Sequence, residues 1–440
     1  MTKTMTEKKA KSMKSPWREH GESLVEYGLV LGVVAAVAIP GIQVLGGEIS
    51  DLINGTAEAI SIASVTVSPD PDNDLDPNAF VFEVSTATGA IFPSAGGTIE
   101  IDWGDETANA SCTTTYVVDA GAPLICSYPF PGTYQISITG DMTGYGQMYS
   151  SGYKSDITRM IQWGDTGLTD LSYALYGATN LTEVPFDLPP TVQKLDQMLA
   201  HATSFNDPAV SGWNTSNITS MKGLFRGASA FNQGLDGWNV SNVNSAEEMF
   251  LRASSFNQDL SSWNTSKITS MRRMFRDTPF NGNVSSWDVS KVWTMQGMFR
   301  DARDFNQDIS EWDVRNVLSF YRTFFRADEF NQDLSLWDVS RATTFEAMFQ
   351  YASSFNSDIS GWDLSSAEAA KAMFYGSTSF DSDLSSWDVS GIVEMDGMFG
   401  LTTNFTGDLS AWCVSSFSES PANFREGSGM VAEPVWGTCP

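Results

Sequence analysis

Trp287-Asp288-Val289-Ser290-Lys291-Val292-Trp293-Thr294-Met295-Gln296-Gly297-Met298-Phe299-Arg300-Asp301-Ala302-Arg303-Asp304-Phe305-Asn306-Gln307-Asp308-Ile309-Ser310-Glu311 runs straight into Trp312, where the same pattern begins again. Tryptophans recur at 213, 238, 263, 287, 312, 337, 362, 387 and 412, a period of 25 with a single 24. A Phe, usually followed by Asn, keeps step at 205, 231, 256, 280, 305, 330, 355, 380 and 405. A self-similar period of this length marks a solenoid, whose units bury their apolar faces only against one another. Within the quoted copy Val292, Met295, Met298, Phe299, Ala302 and Phe305 fall mostly at steps of three or four. That spacing predicts a short helix with one apolar face. The remainder is too short for a second helix, and Ile309, Trp312 and Val314 suit a turn and a short strand. Strand-plus-helix units then stack into a parallel sheet at about 4.8 Å per layer, so nine layers span roughly 40 Å.

The columns created by the period separate core from surface. Met198, Leu224, Met249, Met274, Met298, Thr323, Met348, Met373 and Met398 recur once per copy and read as filling between helix and sheet. The Asn after each Phe (206, 232, 257, 281, 306, 331, 356) suits a ladder that satisfies loop backbone. Asp259, Asp308, Asp333, Asp358, Asp383 and Asp408, and Asp288, Asp313, Asp338, Asp363 and Asp388, have two readings: local Asx caps, or a surface for cations or a cationic partner. Binding by the solenoid falls to exposed polar positions that differ between copies, such as Lys267, Arg272, Arg303 and Arg322. The spelling Phe-Asn-x-Asp-Ile/Leu-Ser-x-Trp-Asp-Val-Ser, then Met-x-x-Met-Phe, resembles the BspA-like surface-protein repeat over about 165–412. The resemblance implies a leucine-rich-repeat-like solenoid on microbial cell surfaces, with adhesive roles and no enzymatic activity. Thr278-Pro279, the deletion before Trp287, Arg315 and Tyr321–Phe325 depart from it locally.

Upstream, residues 141–204 read as a solenoid lead-in and cap, and 413–440 as a C-terminal cap after the repeats of 205–412. Residues 79–140 are strand-like: Phe80–Val84, Thr98–Trp103 and Tyr134–Ile138 alternate apolar and polar, with Gly and Pro turns between them. A small antiparallel β-sandwich follows from that spacing. Ile101-Asp102-Trp103-Gly104-Asp105 and Tyr128-Pro129-Phe130-Pro131-Gly132-Thr133-Tyr134 make it similar to the polycystin-type, PKD-like sandwich, which implies a spacer or display module. Residues 65–78 form a Pro/Asp-rich linker, in which Asp70, Asp72, Asp74 and Asp76 are also calcium candidates because hard cations want several close oxygens.

Residues 1–21 are basic and polar and read as a leader; 22–64 begin with the nearly continuous apolar run Leu24–Leu45. About 20 such residues span a bilayer, with the basic flank inside. Glu26 interrupts the run, where a carboxylate needs a dedicated partner. Gly21 followed by Glu22-Ser23-Leu24-Val25-Glu26-Tyr27 resembles a type IV prepilin of the Flp/Tad class. That resemblance implies cleavage between Gly21 and Glu22 by a prepilin peptidase, residence in the inner membrane, and filament assembly through Glu26 and Tyr27 with other pilin subunits. The alternative is a signal peptide cut at Ala36-Val37-Ala38.

The net charge of −28, with +4 on residues 1–21 and −32 on the rest, argues against nucleic acid as a partner. Cys112, Cys126, Cys413 and Cys439 fall as two local pairs without zinc spacing and suit two disulfides in an oxidising compartment, three connectivities remaining open. Closing the loop of about 15 residues between the first pair contributes on the order of 3 kcal/mol. No catalytic constellation stands out: His occurs only at 20 and 201, and carboxylate pairs repeat with the period. The expectation is a non-enzymatic, multidomain α+β chain without a resident cofactor: a hydrophobic pilin helix, a β-sandwich, and a leucine-rich-repeat-like β/α solenoid of about nine copies. It would be displayed on an extracellular filament for adhesion to a surface ligand. Two other readings stay open, a structural coat of the filament and a singly anchored receptor.

Overall fold

The computed structural model describes residues 75–86, 90–92, 95–104, 115–118, 124–126, 128, 130–145, 154–165 and 167–440. The chain divides into two compact units, 1–65 and 66–440, and every described residue belongs to the second. The pilin-type positions Gly21, Glu22, Glu26 and Tyr27, the calcium candidates Asp70, Asp72 and Asp74, and Cys112 lie outside the described residues. Asp76 is described, and its Oδ1 accepts from the backbone N–H and the Nδ2 of Asn78, both at 2.9 Å, as a turn cap.

Among the described residues seven strands precede the repeats: β1 (Phe80–Thr86), β2 (Ala90–Phe92), β3 (Ala95–Asp102), β4 (Thr115–Val118), β5 (Leu124–Cys126), β6 (Gly132–Tyr145) and β7 (Ile157–Gln162). Five of them form an antiparallel sheet in the order β4-β3-β6-β1-β7, while β2 pairs with β5. Period-2 alternation sends Phe80, Phe82 and Val84, Ile99 and Ile101, and Ile136 and Ile138 into the core. The sheet extends beyond the boundary expected at residue 140, because β7 returns to pair with β1. β7 also makes the first rung of the solenoid: Arg159 bridges Glu183 in parallel, and the Met160 N–H reaches the Glu183 carbonyl at 2.9 Å. The Trp-Gly pair recurs where β3 and β7 end. Gly104 (φ +66°) and Gly164 (φ +65°) are left-handed there, and an added Cβ would meet the Gln135 carbonyl of β6 at the first and the Asn78 and Ala79 carbonyls leading into β1 at the second.

The helix expected in each repeat is not there. Among the described residues the helical structure is a 3-10 turn at Pro208–Gly212, capped by Asp207, and the α+β assignment with its β/α repeat is corrected accordingly. The stretch read as helical is a string of consecutive turns whose backbone bonds alternate in direction. The N–H groups of Met295, Gly297, Phe299 and Asp301 cross to the carbonyls of Ser319, Tyr321, Thr323 and Phe325 in the next coil, at 2.7–3.2 Å. The intervening Met298, Arg300 and Ala302 donate back three residues, at 2.9–3.2 Å. Turns of three residues give the same apolar step as a helix, so Val292, Met295, Met298, Phe299, Ala302 and Phe305 are all buried as the spacing requires. The difference lies in where the hydrogen bonds go. An α-helix satisfies itself; this chain depends on its neighbours.

Alternation of this kind needs left-handed backbone twice per coil, at positions four apart. The pairs are Tyr173/Gly177, Gln197/His201, Gly223/Gly227, Glu248/Arg252, Arg273/Asp277, Gly297/Asp301, Arg322/Arg326, Ala347/Tyr351, Ala372/Gly376, Gly397/Leu401 and Asn423/Gly427. A side chain in this region costs roughly 1–2 kcal/mol, which the ladder to the next coil offsets. Ala372 (φ 53°) is half-buried, so Ala372→Gly relieves strain at little loss of packing. Its chemical-denaturation stability is expected to rise by about 0.5–1 kcal/mol; an unchanged or lower value would show that the left-handed alanine is not strained.

The strand half of each coil is a single bridge, running Asp170, Lys194, Ser220, Ser245, Ser270, Thr294, Ser319, Thr344, Ala369, Glu394. Between bridge and turn string the rings stack continuously. Phe205, Phe231, Phe256, Phe280, Phe305, Phe330, Phe355, Phe380 and Phe405 follow one another at 5.7–6.3 Å between centroids. A second column from Phe225 to Phe399 repeats at 5.5–5.8 Å. Every repeat tryptophan is buried and donates its indole N–H to a carbonyl of the preceding coil, as Trp312 does to Val284 at 3.1 Å. At the far end Cys413 and Cys439 form a disulfide across 26 residues, a loop whose closure contributes about 3 kcal/mol to the cap.

Candidate interaction surface

Three exposed features repeat along the solenoid. The Asn column is a ladder in which each Oδ1 accepts the backbone N–H of its counterpart in the next coil, from Asn206–Asn232 (2.8 Å) to Asn331–Asn356 (2.8 Å), continued by Asp381 and Thr406. Both Asp columns are local caps. Asp308 takes the Ser310 N–H at 3.0 Å and Asp338 takes that of Ser340 at 3.2 Å, and the same geometry recurs at Asp288, Asp333, Asp358, Asp363, Asp383, Asp388 and Asp408. The Ser310 backbone N–H, with its hydroxyl, holds the Asp308 carboxyl below the usual carboxylate range; at Asp388 the Ser390 hydroxyl leads and the backbone follows. These acids are committed to turn geometry.

The third feature is the outer face of the turn string. Gln296, Arg300 and Asp301 show how one coil reaches solvent between buried Met295, Met298, Phe299 and Ala302. In successive coils those positions, together with the one that Gly297 holds in this coil, bring together Lys222, Arg226, Arg252, Arg272, Arg273, Arg276, Arg300, Arg322 and Arg326. Nine of the chain's 25 basic residues therefore share one strip of a molecule with net charge −28. Arg226 pairs with Glu248 at 3.0 Å, Arg273 with the same Glu248 at 3.1 Å, and Arg272 with Glu247. Arg252 pairs with Asp277 at 3.3 Å and Arg300 with Asp301 at 3.2 Å. Aromatic rings lie among the guanidinium groups. Arg300, Arg322 and Arg326 all approach the Phe325 ring, at 5.0–5.5 Å, Arg322 also covers Tyr321, and Arg326 also covers Tyr351.

Crowding of like charge is visible in this belt. Burial, then Arg300, lowers the basicity of Arg276, with Arg273 and Arg252 adding to it and Asp277 opposing. His201 at its edge is likewise pushed below the ordinary imidazole value by burial and by Arg226 and Arg252. The Nε of Arg322 is buried without a hydrogen-bond partner and Arg322 has no ion pair among the described residues, whereas the Nε of Arg276 faces Asp277 Oδ2 at 3.4 Å. Of the positions singled out from sequence, Arg272 and Arg322 lie in the belt. Lys267 instead bonds Asn242 at 2.7 Å, and Arg303 meets Asp328 at 3.3 Å. Sequence reasoning missed Arg273, Arg276, Arg300 and Arg326, although Arg276, Arg300 and Arg326 each sit one coil, or four residues, from another belt arginine and Arg273 directly follows Arg272.

Two further features lie near the junction of sheet and solenoid. Lys154 is 1 % exposed, gives its Nζ to the Tyr173 carbonyl, and burial lowers its pKa to about 7. A cavity of about 380 Å³ opens beside Pro77, Trp163, Pro185, Leu188 and Pro189, and the Trp163 indole N–H is buried without an acceptor.

A family model described as "Mycoplasma protein of unknown function, DUF285" matches residues 169–281, 261–356 and 323–433, overlapping windows that together cover more than half of the chain. No curated protein matches the chain. These findings correct the resemblances drawn from sequence. The family match covers the repeats alone and carries neither a Flp/Tad prepilin segment, a PKD-like module nor a BspA-like assignment. No helix among the described residues is long and apolar enough to cross a membrane. The findings support the repeat family alone in place of the pilin assignment, and the apolar run at 24–45 lies outside the described residues.

Proposed function

The chain belongs to the DUF285 family, and from that premise and the surface just described we propose that it is a non-enzymatic recognition module, displayed outside the cell, whose solenoid holds a partner along its turn face. The observation that carries this reading is the arginine and aromatic belt. Every other polar column is spent on the coil itself: Asn on the ladder, Asp on the caps, Trp N–H on the preceding coil. Among the described residues the belt concentrates charge opposite in sign to the whole chain, and burial and neighbouring arginines lower the basicity of Arg276 within it. A coat that merely shields a surface has no use for such a concentration. Display outside the cell is supported by the Cys413–Cys439 disulfide, a bond that persists in oxidising compartments.

Protease treatment of intact producing cells tests the display. Peptides from 205–412 are expected in the supernatant without lysis, and Cys413 and Cys439 are expected to resist alkylation until reduced. Recovery only after lysis, with both thiols free, would count against the reading.

A further inference from the structure

We infer that the arginine belt binds a uronic-acid-bearing polysaccharide chain laid along the solenoid, a ligand class that rests on the displayed-module reading above. Three properties of the belt select it. The first is unmet donor capacity. The Arg322 guanidinium lies over the Tyr321 and Phe325 rings, at 4.9 and 5.5 Å, with no ion pair among the described residues, and its Nε has no acceptor. A guanidinium held on a ring is pre-oriented to grip a carboxylate in its planar fork.

The second is the interleaved acid. Glu247, Glu248, Asp277 and Asp301 lie within the same strip, each paired with belt arginines and each half-buried. Their oxygens are acceptors for hydroxyl groups, which a sugar chain supplies in number. A deoxynucleotide polymer supplies negative charge for the arginines but no sugar hydroxyls along its backbone for those carboxylates. An acidic polypeptide segment offers carboxylates but few hydroxyls. A polyuronate offers carboxylates for the arginines and hydroxyls for the acids.

The third is the aromatic component. Tyr321, Phe325, Tyr351 and Tyr375 are half-buried in neighbouring coils, so their rims remain accessible along the strip. Tyr351 and Tyr375 meet edge to face at 5.6 Å. Sugar rings carry C–H faces that pack on such rings, and successive coils present the contacts in a row. No enclosed pocket is needed for a polymer read this way.

Fluorescence anisotropy of labelled hyaluronan and labelled polygalacturonate on the purified full-length chain tests the assignment, with dextran, oligothymidylate and poly-glutamate as competitors. Saturable binding of at least one uronate polymer is expected, with little competition from the other three. Arg322→Gln combined with Arg326→Gln should weaken it at least about tenfold, and Arg322→Lys, which keeps the charge without the fork, should weaken it measurably. Arg315→Gln with Arg341→Gln, on cations away from the belt, should leave it unchanged. Denaturation midpoints for each variant separate lost binding from lost fold. Absence of uronate binding by the folded chain, stronger binding of oligothymidylate or poly-glutamate, or equal loss in both double variants would overturn the inference. The protease experiment on intact cells reads the display separately, so the two can fail independently.

Discussion

Trp312→Ala is expected to lower stability by about 4 kcal/mol and to split one unfolding transition into two. The indole is 3 % exposed, stacks on Trp287 with centroids 6.3 Å apart, and lies 6.3 Å from Phe299. Its N–H is also the partner of the Val284 carbonyl, at 3.1 Å in the preceding coil. Truncation therefore opens a cavity and removes one of the two donors to that carbonyl, which the Trp287 backbone N–H still reaches at 3.1 Å. Because a solenoid couples only nearest neighbours, the damage concentrates at the interfaces on either side of that coil, leaving two shorter arrays that unfold separately. Trp312→Phe keeps much of the stack and removes the donor, so it should cost about 1–2 kcal/mol and preserve a single transition. Urea titration followed by tryptophan fluorescence gives the magnitude, and hydrogen exchange gives the place. Faster exchange confined to about 284–340 is the expected pattern. A loss below about 1.5 kcal/mol, or exchange raised evenly from end to end, would contradict nearest-neighbour coupling through this column.

The period and the buried columns were legible without coordinates because burial follows side-chain chemistry: Trp, Phe and Met recur where the core must be filled. The helix was misread because apolar steps of three and four do not say whether an N–H finds its acceptor within the coil or in the next one. Only the crossing bonds, such as Phe299 to Thr323 at 2.9 Å, settle that. A weaker signal was present in Gly223 and Gly227, and in Gly297, Gly376, Gly397 and Gly427, glycines in the two columns where the backbone turns left-handed. It was diluted by Arg, Asp, Ala and Tyr at the equivalent places, which pay for that conformation through the ladder. The belt was half legible for a related reason. Variation between copies pointed to Arg272 and Arg322, but their grouping with Arg276, Arg300 and Arg326 depends on columns meeting across the turn string. The role of β7 had one sequence signal, the Trp163-Gly164 pair that repeats the Trp103-Gly104 end of β3; residues 141–204 read as solenoid lead-in, and only pairing shows that one edge of Ile157–Gln162 belongs to the sheet.

That double role makes Gly164→Ala the sharpest test of how the solenoid is started. Gly164 follows β7 and Trp163 at φ +65°, and an added Cβ would lie 2.4 Å from the Asn78 carbonyl oxygen and 2.6 Å from the Ala79 carbonyl. Those contacts are backbone, so relief requires the chain leading into β1 to move. Left-handed strain alone costs roughly 1–2 kcal/mol, and the clash brings the expected loss to about 3 kcal/mol or more. Gly167 provides the control: its φ is +69°, but nothing lies within 4 Å of the added atom, so Gly167→Ala should show the strain alone. The loss should also be directional. With β7 displaced, the Arg159–Glu183 rung and the Met160 to Glu183 bond open first, exposing the coils near 165–200 to protease while the coils beyond Trp312 keep their protection. Limited proteolysis with mass spectrometry and a thermal melt of both variants measure this. Equal destabilisation by the two substitutions, or cleavage that starts at the Cys413–Cys439 end, would mean that the sheet does not cap the solenoid through β7.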